Sequence, residues 1–271
     1  MVAMQAFRET KGVREHSLKE RTPMPLISTP DGGSLYYAES GPAAARPVLL
    51  LHAALQTHES MAPMAEVLAP LGARLVRPDL PGHGRSEPSG HAPFPRFTIG
   101  GMADAVTALV DRLGLGAPLV VGYSLGGIVG IELALRGRAS GLAVLASRIR
   151  PAGDARATFA PEAIRRRSPL WAKQLAEKHV ATPWESLSTA LGELLATWPG
   201  FASAALAALP VPVLVVQGDR DQMVPLAQGQ ELAQLAPQGR FQLVPRSGHP
   251  ELLYREETRV AVKDFIAKLM G

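Results

Sequence analysis

Short apolar runs that are typical of buried strands alternate with longer amphipathic segments through most of the chain. Such runs occupy residues 48–51, 119–121 and 213–216, and a helix-like segment follows each of them. Helices that return the chain to the start of the next strand make successive strands parallel and cover both faces of the sheet. The alternation therefore predicts an α/β fold with a mostly parallel sheet flanked by helices.

The start of the chain departs from this rhythm. Residues 25–29 and 34–38 are strand-like, and Asp31, Gly32 and Gly33 lie between them. An Asp-Gly pair between two strand-like runs favours a tight turn, because glycine adopts the positive φ angles that such turns need. We therefore expect an antiparallel hairpin ahead of the parallel strands.

A second departure lies between residues 148 and 209, where helix-like segments replace the strand-like runs. The same stretch contains all three tryptophans of the chain, Trp171, Trp184 and Trp198. We expect a helical insertion that separates the two halves of one sheet. The expected organisation is an N-terminal extension (residues 1–23), a core domain (residues 24–147 and 210–271) and the insertion (residues 148–209).

The composition excludes several kinds of chemistry. The 271 residues are enough for one large domain, and they include no cysteine. This excludes a thiolate nucleophile, disulfide bonds, cysteine-bound zinc and iron–sulfur clusters. The 28 Lys and Arg residues exceed the 24 Asp and Glu residues only slightly, without the dense basic tract of a nucleic-acid-binding surface. We expect no nucleic-acid partner, no metal and no cofactor.

The apolar runs are too short to cross a bilayer. The longest, residues 119–131, is interrupted by glycines and falls short of the roughly 20 residues that a spanning helix needs. Residues 1–22 carry scattered charges and lack the apolar centre of a secretory signal. These features predict a cytoplasmic protein without a membrane span, and they leave the oligomeric state open.

Ser124 is the candidate nucleophile. It stands between Gly122 and Gly126, directly after the apolar run at residues 119–121 and ahead of a helix predicted over residues 128–135. A serine hydroxyl reacts readily only when a base removes its proton, and a Gly-x-Ser-x-Gly pattern between strand and helix exposes the serine on a sharp turn. The N-terminus of the following helix also favours negative charge. The pattern therefore predicts nucleophilic catalysis by Ser124.

A serine nucleophile needs a base and an acid. His249 follows the strand-like run at residues 241–244 and is the candidate base. A buried carboxylate must hold the second imidazole nitrogen, and Asp219 and Asp221 both follow the run that ends at residue 216. We favour Asp221 as the acid, and Asp219 remains the alternative, with loop amides as its expected partners. Surface positions are expected for the histidines outside the motifs: His16, His58, His91 and His179.

An ordered set of motifs carries a resemblance to a known family: His52-Ala53-Ala54-Leu55, Asp79-Leu80-Pro81-Gly82-His83-Gly84-Arg85-Ser86, Gly122-Tyr123-Ser124-Leu125-Gly126-Gly127, Gly218-Asp219-Arg220-Asp221 and Gly248-His249. Along nearly its whole length the chain resembles the α/β-hydrolase superfamily, in which Ser, Asp and His follow one another in this order. The resemblance implies an eight-stranded, mostly parallel sheet. It also implies that Ser124 is the nucleophile, Asp221 the acid and His249 the base, with the insertion forming a cap over the site.

The same resemblance implies an oxyanion hole formed by two backbone N–H groups, those of Leu125 and Ala54. Relatives usually carry glycine after the histidine of the second loop, whereas this chain has Ala53, whose side chain restricts the backbone angles. We expect His52 and His83 to brace their loops rather than to take part in catalysis.

The apolar surroundings of the nucleophile favour a small, largely apolar ligand, and we expect Leu55, Tyr123 and Met223 to help bind it. The predicted function is hydrolysis of a carboxylic ester or lactone through an acyl-enzyme. The same residues suit a thioesterase, a carbon–carbon bond hydrolase, a cofactor-free perhydrolase or haloperoxidase, or an acyltransferase. A serine nucleophile argues against an epoxide hydrolase or a haloalkane dehalogenase, which use aspartate. A non-catalytic binding module is the last alternative.

Overall fold

A single sheet forms the centre of the protein. The computed structural model describes residues 26–88 and 97–271. Within them the strands are β1 (Leu26–Ser28), β2 (Ser34–Ser40), β3 (Pro47–Leu51), β4 (Arg74–Pro78), β5 (Leu119–Tyr123), β6 (Gly141–Leu145), β7 (Val213–Gly218) and β8 (Gly239–Val244). They lie side by side in the order β1-β2-β4-β3-β5-β6-β7-β8, and the six strands from β3 to β8 are mutually parallel. The predicted fold, a mostly parallel eight-stranded sheet, is confirmed.

Helices cover both faces of the sheet. In the described part of the chain they are α1 (Ala62–Leu68), α2 (Ile99–Arg112), α3 (Leu125–Leu135), α4 (Ala155–Thr158), α5 (Pro161–Arg167), α6 (Pro169–Lys178), α7 (Trp184–Thr197), α8 (Ser203–Ala207), α9 (Leu226–Leu235) and α10 (Glu256–Met270). Buried residues of α1 and α10 belong to the core on one face, and those of α2, α3 and α9 to the core on the other. None of the described helices is both long and apolar enough to cross a membrane.

The strand β3 shows why the central strands are apolar throughout. Leu49 and Leu51 belong to one core cluster and Val48 and Leu50 to the other, and all four are fully buried. Successive side chains of a strand point to opposite faces, so a strand covered on both sides needs an unbroken apolar run.

The expected hairpin is present between β1 and β2. The Gly32 N–H donates to the Thr29 carbonyl oxygen at 3.0 Å, and the Thr29 N–H donates to the Gly33 carbonyl oxygen at 2.9 Å. Gly32 has a φ of 86°, which glycine adopts without steric cost. Strand β2 also pairs antiparallel with β4. The hairpin therefore forms the antiparallel edge of the sheet.

Between β6 and β7 the chain forms the five short helices α4–α8, as expected for a helical insertion. Ile164, Leu187 and Leu191 of these helices belong to the same buried cluster as one face of the sheet. Trp184 is buried in this cluster as well, whereas 38% of Trp171 is exposed. The insertion is therefore packed onto the main core, and its assignment as a separate cap stays a prediction.

The loops that follow the parallel strands meet at one edge of the sheet. Parallel strands present their carboxyl ends at the same edge, which is where open α/β sheets bind ligands. Residue 52 follows β3, Ser124 follows β5, Asp221 lies three residues after β7 and His249 lies in the loop after β8. The fold therefore brings the predicted site residues to a common edge.

Candidate active site

Ser124 lies on a sharp turn between β5 and α3. Its backbone has φ 52° and ψ −112°, a positive φ that a non-glycine residue adopts only where the surroundings impose it. A Cβ on Gly122 would lie 2.3 Å from the Gly126 carbonyl oxygen, and a Cβ on Gly126 would lie 2.3 Å from the Leu51 carbonyl oxygen. The strand and the helix therefore pass too closely for a side chain at either glycine, and Ser124 stays partly exposed.

Helix α3 begins at Leu125, three residues earlier than predicted. The N–H groups of Gly127 and Ile128 donate to the Ser124 carbonyl oxygen at 2.9 and 3.2 Å. The predicted helix began after Gly126 and Gly127, whereas both lie inside it, where the close approach of neighbouring chain leaves no room for a side chain. The Leu125 N–H falls in the first turn, where a helix supplies no acceptor. It is therefore available to a ligand.

His249 and Asp221 form a buried pair beyond the ends of β7 and β8. His249 Nδ1 lies 2.8 Å from Asp221 Oδ2, and the Asp221 side chain is fully buried. The other carboxylate oxygen, Oδ1, accepts the N–H groups of Met223 and Val224 at 2.8 and 2.9 Å. The carboxylate is held in place and accepts a hydrogen bond from Nδ1–H, so that Nε2 of His249 carries no proton and can accept one.

Asp219, the alternative acid, occupies the exposed turn after β7. Its Oδ1 accepts the Ser247 N–H at 3.2 Å, and its own N–H donates to the Val244 carbonyl oxygen at 3.2 Å. Asp219 therefore joins the loops that follow β7 and β8. The structure brings Asp221, and not Asp219, to the imidazole.

Tyr123 links the turn at Ser124 to the loop that carries His249. Its ring stacks on the His249 ring with centroids 5.4 Å apart, and its hydroxyl donates to the His249 carbonyl oxygen. Only 1% of the residue is exposed, and burial raises the pKa of the hydroxyl, which keeps it protonated as a donor. Its ring and hydroxyl both contact the His249 loop inside the protein, and substrate binding by Tyr123 stays a prediction.

Ser147, two residues after the end of β6, supports the turn at Ser124, and sequence reasoning missed it. Its buried hydroxyl donates to the Ser124 carbonyl oxygen at 2.8 Å, and the Ser124 N–H donates to the Leu145 carbonyl oxygen at 2.8 Å. Ser124 is thus held on both sides by the end of β6. The only signal in the sequence is a small polar residue just after a strand, which is too common to be selective.

The loop after β3 forms a tight turn that carries Ala54. The Gln56 N–H donates to the Ala53 carbonyl oxygen at 3.1 Å and closes a four-residue turn. This bond uses neither N–H of the two central residues, Ala54 and Leu55. The positive φ of the turn, 57°, falls on Leu55 and not on Ala53. Alanine is therefore tolerated where relatives usually carry glycine.

His52 braces this loop from within the core, as expected. The residue is fully buried, its Nδ1 lies 2.8 Å from the Ala53 carbonyl oxygen, and its Nε2 accepts the Leu80 N–H at 2.9 Å. Burial lowers the pKa of His52 to about 4, so the imidazole is neutral and donates through Nδ1. It joins the loops after β3 and β4.

Asp79 organises the loop after β4. Its Oδ1 accepts the backbone N–H of His58 at 2.6 Å and lies 2.8 Å from the His58 Nδ1, while its Oδ2 accepts the Arg85 N–H at 3.0 Å. Burial raises the pKa of the carboxyl, but the hydrogen bonds and charges of the neighbouring histidines outweigh it and lower that pKa. A Cβ on Gly84 would lie 2.1 Å from Asp79 Oδ2, so only glycine fits there.

Two histidines that were expected at the surface are buried, so the expectation is wrong for both. His58 is 8% exposed and pairs with Asp79, and His179 is 4% exposed. Their partners are distant in the chain, and the local polarity of the sequence gives no sign of them. His16 and His91 lie outside the described residues.

Leu55 and Met223 border the site in different ways. Leu55 is buried at 2% exposure, whereas 39% of Met223 is exposed. The Met223 carbonyl oxygen accepts a hydrogen bond from the Arg148 guanidinium, and the burial of that guanidinium lowers its pKa. Arg148 therefore connects the loop that carries Asp221 and Met223 to the end of β6. Substrate binding by Leu55 and Met223 stays a prediction.

The mostly parallel eight-stranded sheet with helices on both faces is the fold of an α/β hydrolase. Residues 48–263 match the model of the Alpha/beta hydrolase family, and the chain belongs to this family.

Several of the similar proteins are hydrolases by their printed names. The chain is 32% identical over 252 residues to "Putative carbamate hydrolase RutD" of Caulobacter vibrioides. The matched region covers 82% of this chain and 90% of that protein. Among solved structures, a thermophilic esterase from Thermogutta terrifontis is similar with a TM-score of 0.71 and 26% identity, covering 93% of this chain and 99% of the esterase. The structure of the enol-lactonase of Burkholderia xenovorans LB400 is similar with a TM-score of 0.75 and 23% identity. The match covers 89% of this chain and 99% of the lactonase.

Proposed function

We propose that this protein is a serine hydrolase that cleaves a carboxylic ester or lactone of a small molecule through an acyl-enzyme on Ser124. The observation that carries the proposal is the 2.8 Å contact between His249 Nδ1 and the fully buried carboxylate of Asp221, in a member of a hydrolase family. A buried carboxylate orients the imidazole and stabilises the imidazolium that forms when the base takes a proton.

In the proposed reaction, His249 Nε2 accepts the proton of the Ser124 hydroxyl while Oγ attacks the substrate carbonyl carbon. The tetrahedral intermediate collapses, the alcohol oxygen takes the proton from Nε2 and leaves, and an ester bond to Ser124 remains. Water then loses a proton to Nε2 and attacks this ester. The carboxylic acid leaves, and the proton returns to Oγ.

The negative charge on the carbonyl oxygen needs two donors, and we assign them to Leu125 and Ala54. The Leu125 N–H lies at the start of α3, where the helix dipole adds positive potential. The Ala54 N–H lies in a turn whose closing hydrogen bond leaves it unused. Main-chain donors of this kind stabilise the transition state more than the ground state.

The substrate side of the proposal rests on the insertion and on the relatives. Residues 148–209 pack onto the same core cluster as α3, the helix that Ser124 precedes, and we propose that they form a cap over a small-molecule site. The Thermogutta terrifontis structure is that of an esterase, and its likeness to this chain favours an ester. The other activities that suit the same triad, on thioesters, diketones and acyl acceptors, have no such support.

A carbamate is the second candidate substrate. The protein "Putative carbamate hydrolase RutD" is 32% identical to this chain and is covered over 90% of its length. A carbamate carbonyl is attacked by serine in the same way, and the amine or alcohol leaves with the proton held by His249. Esters and carbamates thus differ in the groups bonded to the carbonyl carbon, and the same residues would serve for both.

Labelling by a fluorophosphonate probe tests the nucleophile. We expect the probe to label the wild-type protein, and Ser124→Ala to abolish both labelling and turnover of p-nitrophenyl esters. Ser203→Ala is the matched control, since this serine is exposed at the start of α8 and lies outside the proposed site. A panel of esters, lactones, carbamates, thioesters and diketones then ranks the substrates. Full activity in Ser124→Ala would refute the assignment.

A further inference from the structure

His179 lies at the C-terminal end of α6, in the insertion, and reaches two loops of the main sheet. Its Nδ1 accepts the Gly84 N–H at 2.9 Å, across 95 positions of the chain, and its Nε2 lies 3.3 Å from the Leu55 carbonyl oxygen, across 124 positions. Because an amide N–H donates to Nδ1, the proton of the neutral ring is on Nε2. The imidazole therefore donates to Leu55.

The residue that receives this hydrogen bond is the strained one of its turn. Leu55 has a φ of 57° and lacks the freedom of glycine, so its conformation persists only where neighbouring groups hold it. It directly follows Ala54, whose N–H we assign to the oxyanion hole. Any relaxation of Leu55 moves the peptide groups of the turn and with them the direction of that N–H.

Two neutral imidazoles thus hold the carbonyl groups on either side of Ala54. His52, from the core, donates to the Ala53 carbonyl oxygen, and His179, from the insertion, donates to that of Leu55. Burial lowers the pKa of both imidazoles, so both are neutral and can accept one hydrogen bond and donate another. The turn between them is fixed at both ends.

We propose that His179 is a positioning residue for the oxyanion hole, through which the insertion holds the turn that carries Ala54. This role rests on the proposed function, because it concerns the transition state of the same serine reaction. It makes the insertion part of the catalytic apparatus as well as a cover over the substrate.

A purely structural role for His179 has a weaker basis. The N–H groups of Val180 and Ala181 both donate to the Gly84 carbonyl oxygen, at 3.0 and 3.2 Å. These two hydrogen bonds keep the insertion fastened to the loop after β4 without the imidazole. Loss of the contact to Leu55 therefore leaves the insertion attached and changes the turn.

A pair of amide variants separates the two hydrogen bonds of the ring. The carboxamide of His179→Gln reaches the position of Nε2 and can donate to Leu55, whereas that of His179→Asn takes the position of Nδ1 and can only accept from Gly84. We expect His179→Asn to lower kcat by about 10- to 100-fold, since removal of a whole oxyanion donor costs roughly 100- to 1,000-fold. His179→Gln should keep kcat within about threefold, and KM should change little in either.

A boronic acid that forms a tetrahedral adduct with the serine provides the second readout. Its affinity should fall in parallel with kcat, because the adduct resembles the transition state. Ser188→Ala is the control, since it removes a buried hydrogen bond to the Phe159 carbonyl oxygen inside the insertion without contacting Leu55. Full kcat in His179→Asn, or equal losses in both amide variants and in Ser188→Ala, would overturn the positioning role.

Failure of this inference is distinguishable from failure of the proposed function. If the fluorophosphonate probe does not label the wild type, the serine mechanism itself fails. If it labels the wild type and both amide variants turn over equally, only the role of His179 fails. Should neither variant fold, ¹⁵N spectra of the wild-type imidazoles decide: the Nε2–H signal of His179 should shift when the boronate binds, and an unchanged signal overturns the inference.

Discussion

Acidification should destabilise this protein through His52, a histidine that the proposed mechanism does not use. The imidazole is fully buried, and burial lowers its pKa from 6.5 to about 4 in the folded state. The unfolded chain therefore binds one more proton than the folded one between these values. Since the folded pKa lies below the unfolded one, the stabilisation is complete above pH 6.5, falls as the pH drops towards 4 and then levels off.

The size of the effect follows from the shift in pKa. One pH unit is worth about 1.4 kcal/mol for one proton, so the shift of His52 corresponds to about 3 kcal/mol over the whole range, and to about 2 kcal/mol by pH 5. This is a large part of the net stability of a typical domain, which is about 5–15 kcal/mol.

The neutral variant His52→Gln isolates this contribution. Its amide oxygen can accept the Leu80 N–H in place of Nε2, and it does not titrate. Urea unfolding of both proteins, followed by tryptophan fluorescence between pH 7.5 and 5, should show the wild-type advantage in unfolding free energy shrinking by about 2 kcal/mol. Titrating groups that do not interact with His52 behave alike in both proteins and cancel in the difference. A difference that stays constant over this range would refute the buried, neutral assignment of His52.

Four further substitutions test the site. Asp221→Asn should lower kcat for ester turnover by about 10,000-fold, because an amide cannot hold the imidazole with Nδ1 protonated. Asp219→Asn should lower the same kcat by less than about threefold. Gly126→Ala should lower the midpoint of thermal unfolding and abolish labelling of the serine, because its Cβ would lie 2.3 Å from the Leu51 carbonyl oxygen. Tyr123→Phe should cost about 1–3 kcal/mol in urea unfolding, because the His249 carbonyl oxygen loses its buried donor; an unchanged stability would contradict that contact.

The fold was predictable because its main signals are local. Each central strand is buried on both faces, so residues 48–51 and 213–216 form unbroken apolar runs. The hairpin turn at Gly32 and the helices α9 and α10 also carry their signals within a few residues. The predicted start of α3 lay three residues too late, because the glycines beside Ser124 can indicate either a turn or a close crossing of a helix with neighbouring chain. They disfavour a helix by propensity, yet they are the residues that fit where the helix crosses the chain after β3.

The site was only partly predictable, because many of its contacts join distant parts of the chain. The motifs indicated Ser124 and His249 and favoured Asp221 over Asp219 as the acid, but only the folded chain shows which carboxylate contacts the imidazole. The burial of His179 depends on a partner 124 positions away, and no local pattern reports such a contact. The inward orientation of Tyr123 likewise depends on the loop after β8, although the motif placed it beside the nucleophile.

The histidines at this edge of the sheet fall into two functional kinds. In the proposed mechanism His249 must gain and lose a proton in each turnover, and its carboxylate partner suits that task. His52 and His179 instead stay neutral. Each accepts a hydrogen bond from a backbone N–H with one nitrogen and donates to a carbonyl group beside Ala54 with the other. A proton added to either ring removes the acceptor that its neighbouring amide needs. The protonated rings would keep the N–H groups that donate beside Ala54, so acid should break the contacts of these two rings to the Gly84 and Leu80 amides before it disturbs the proposed oxyanion hole.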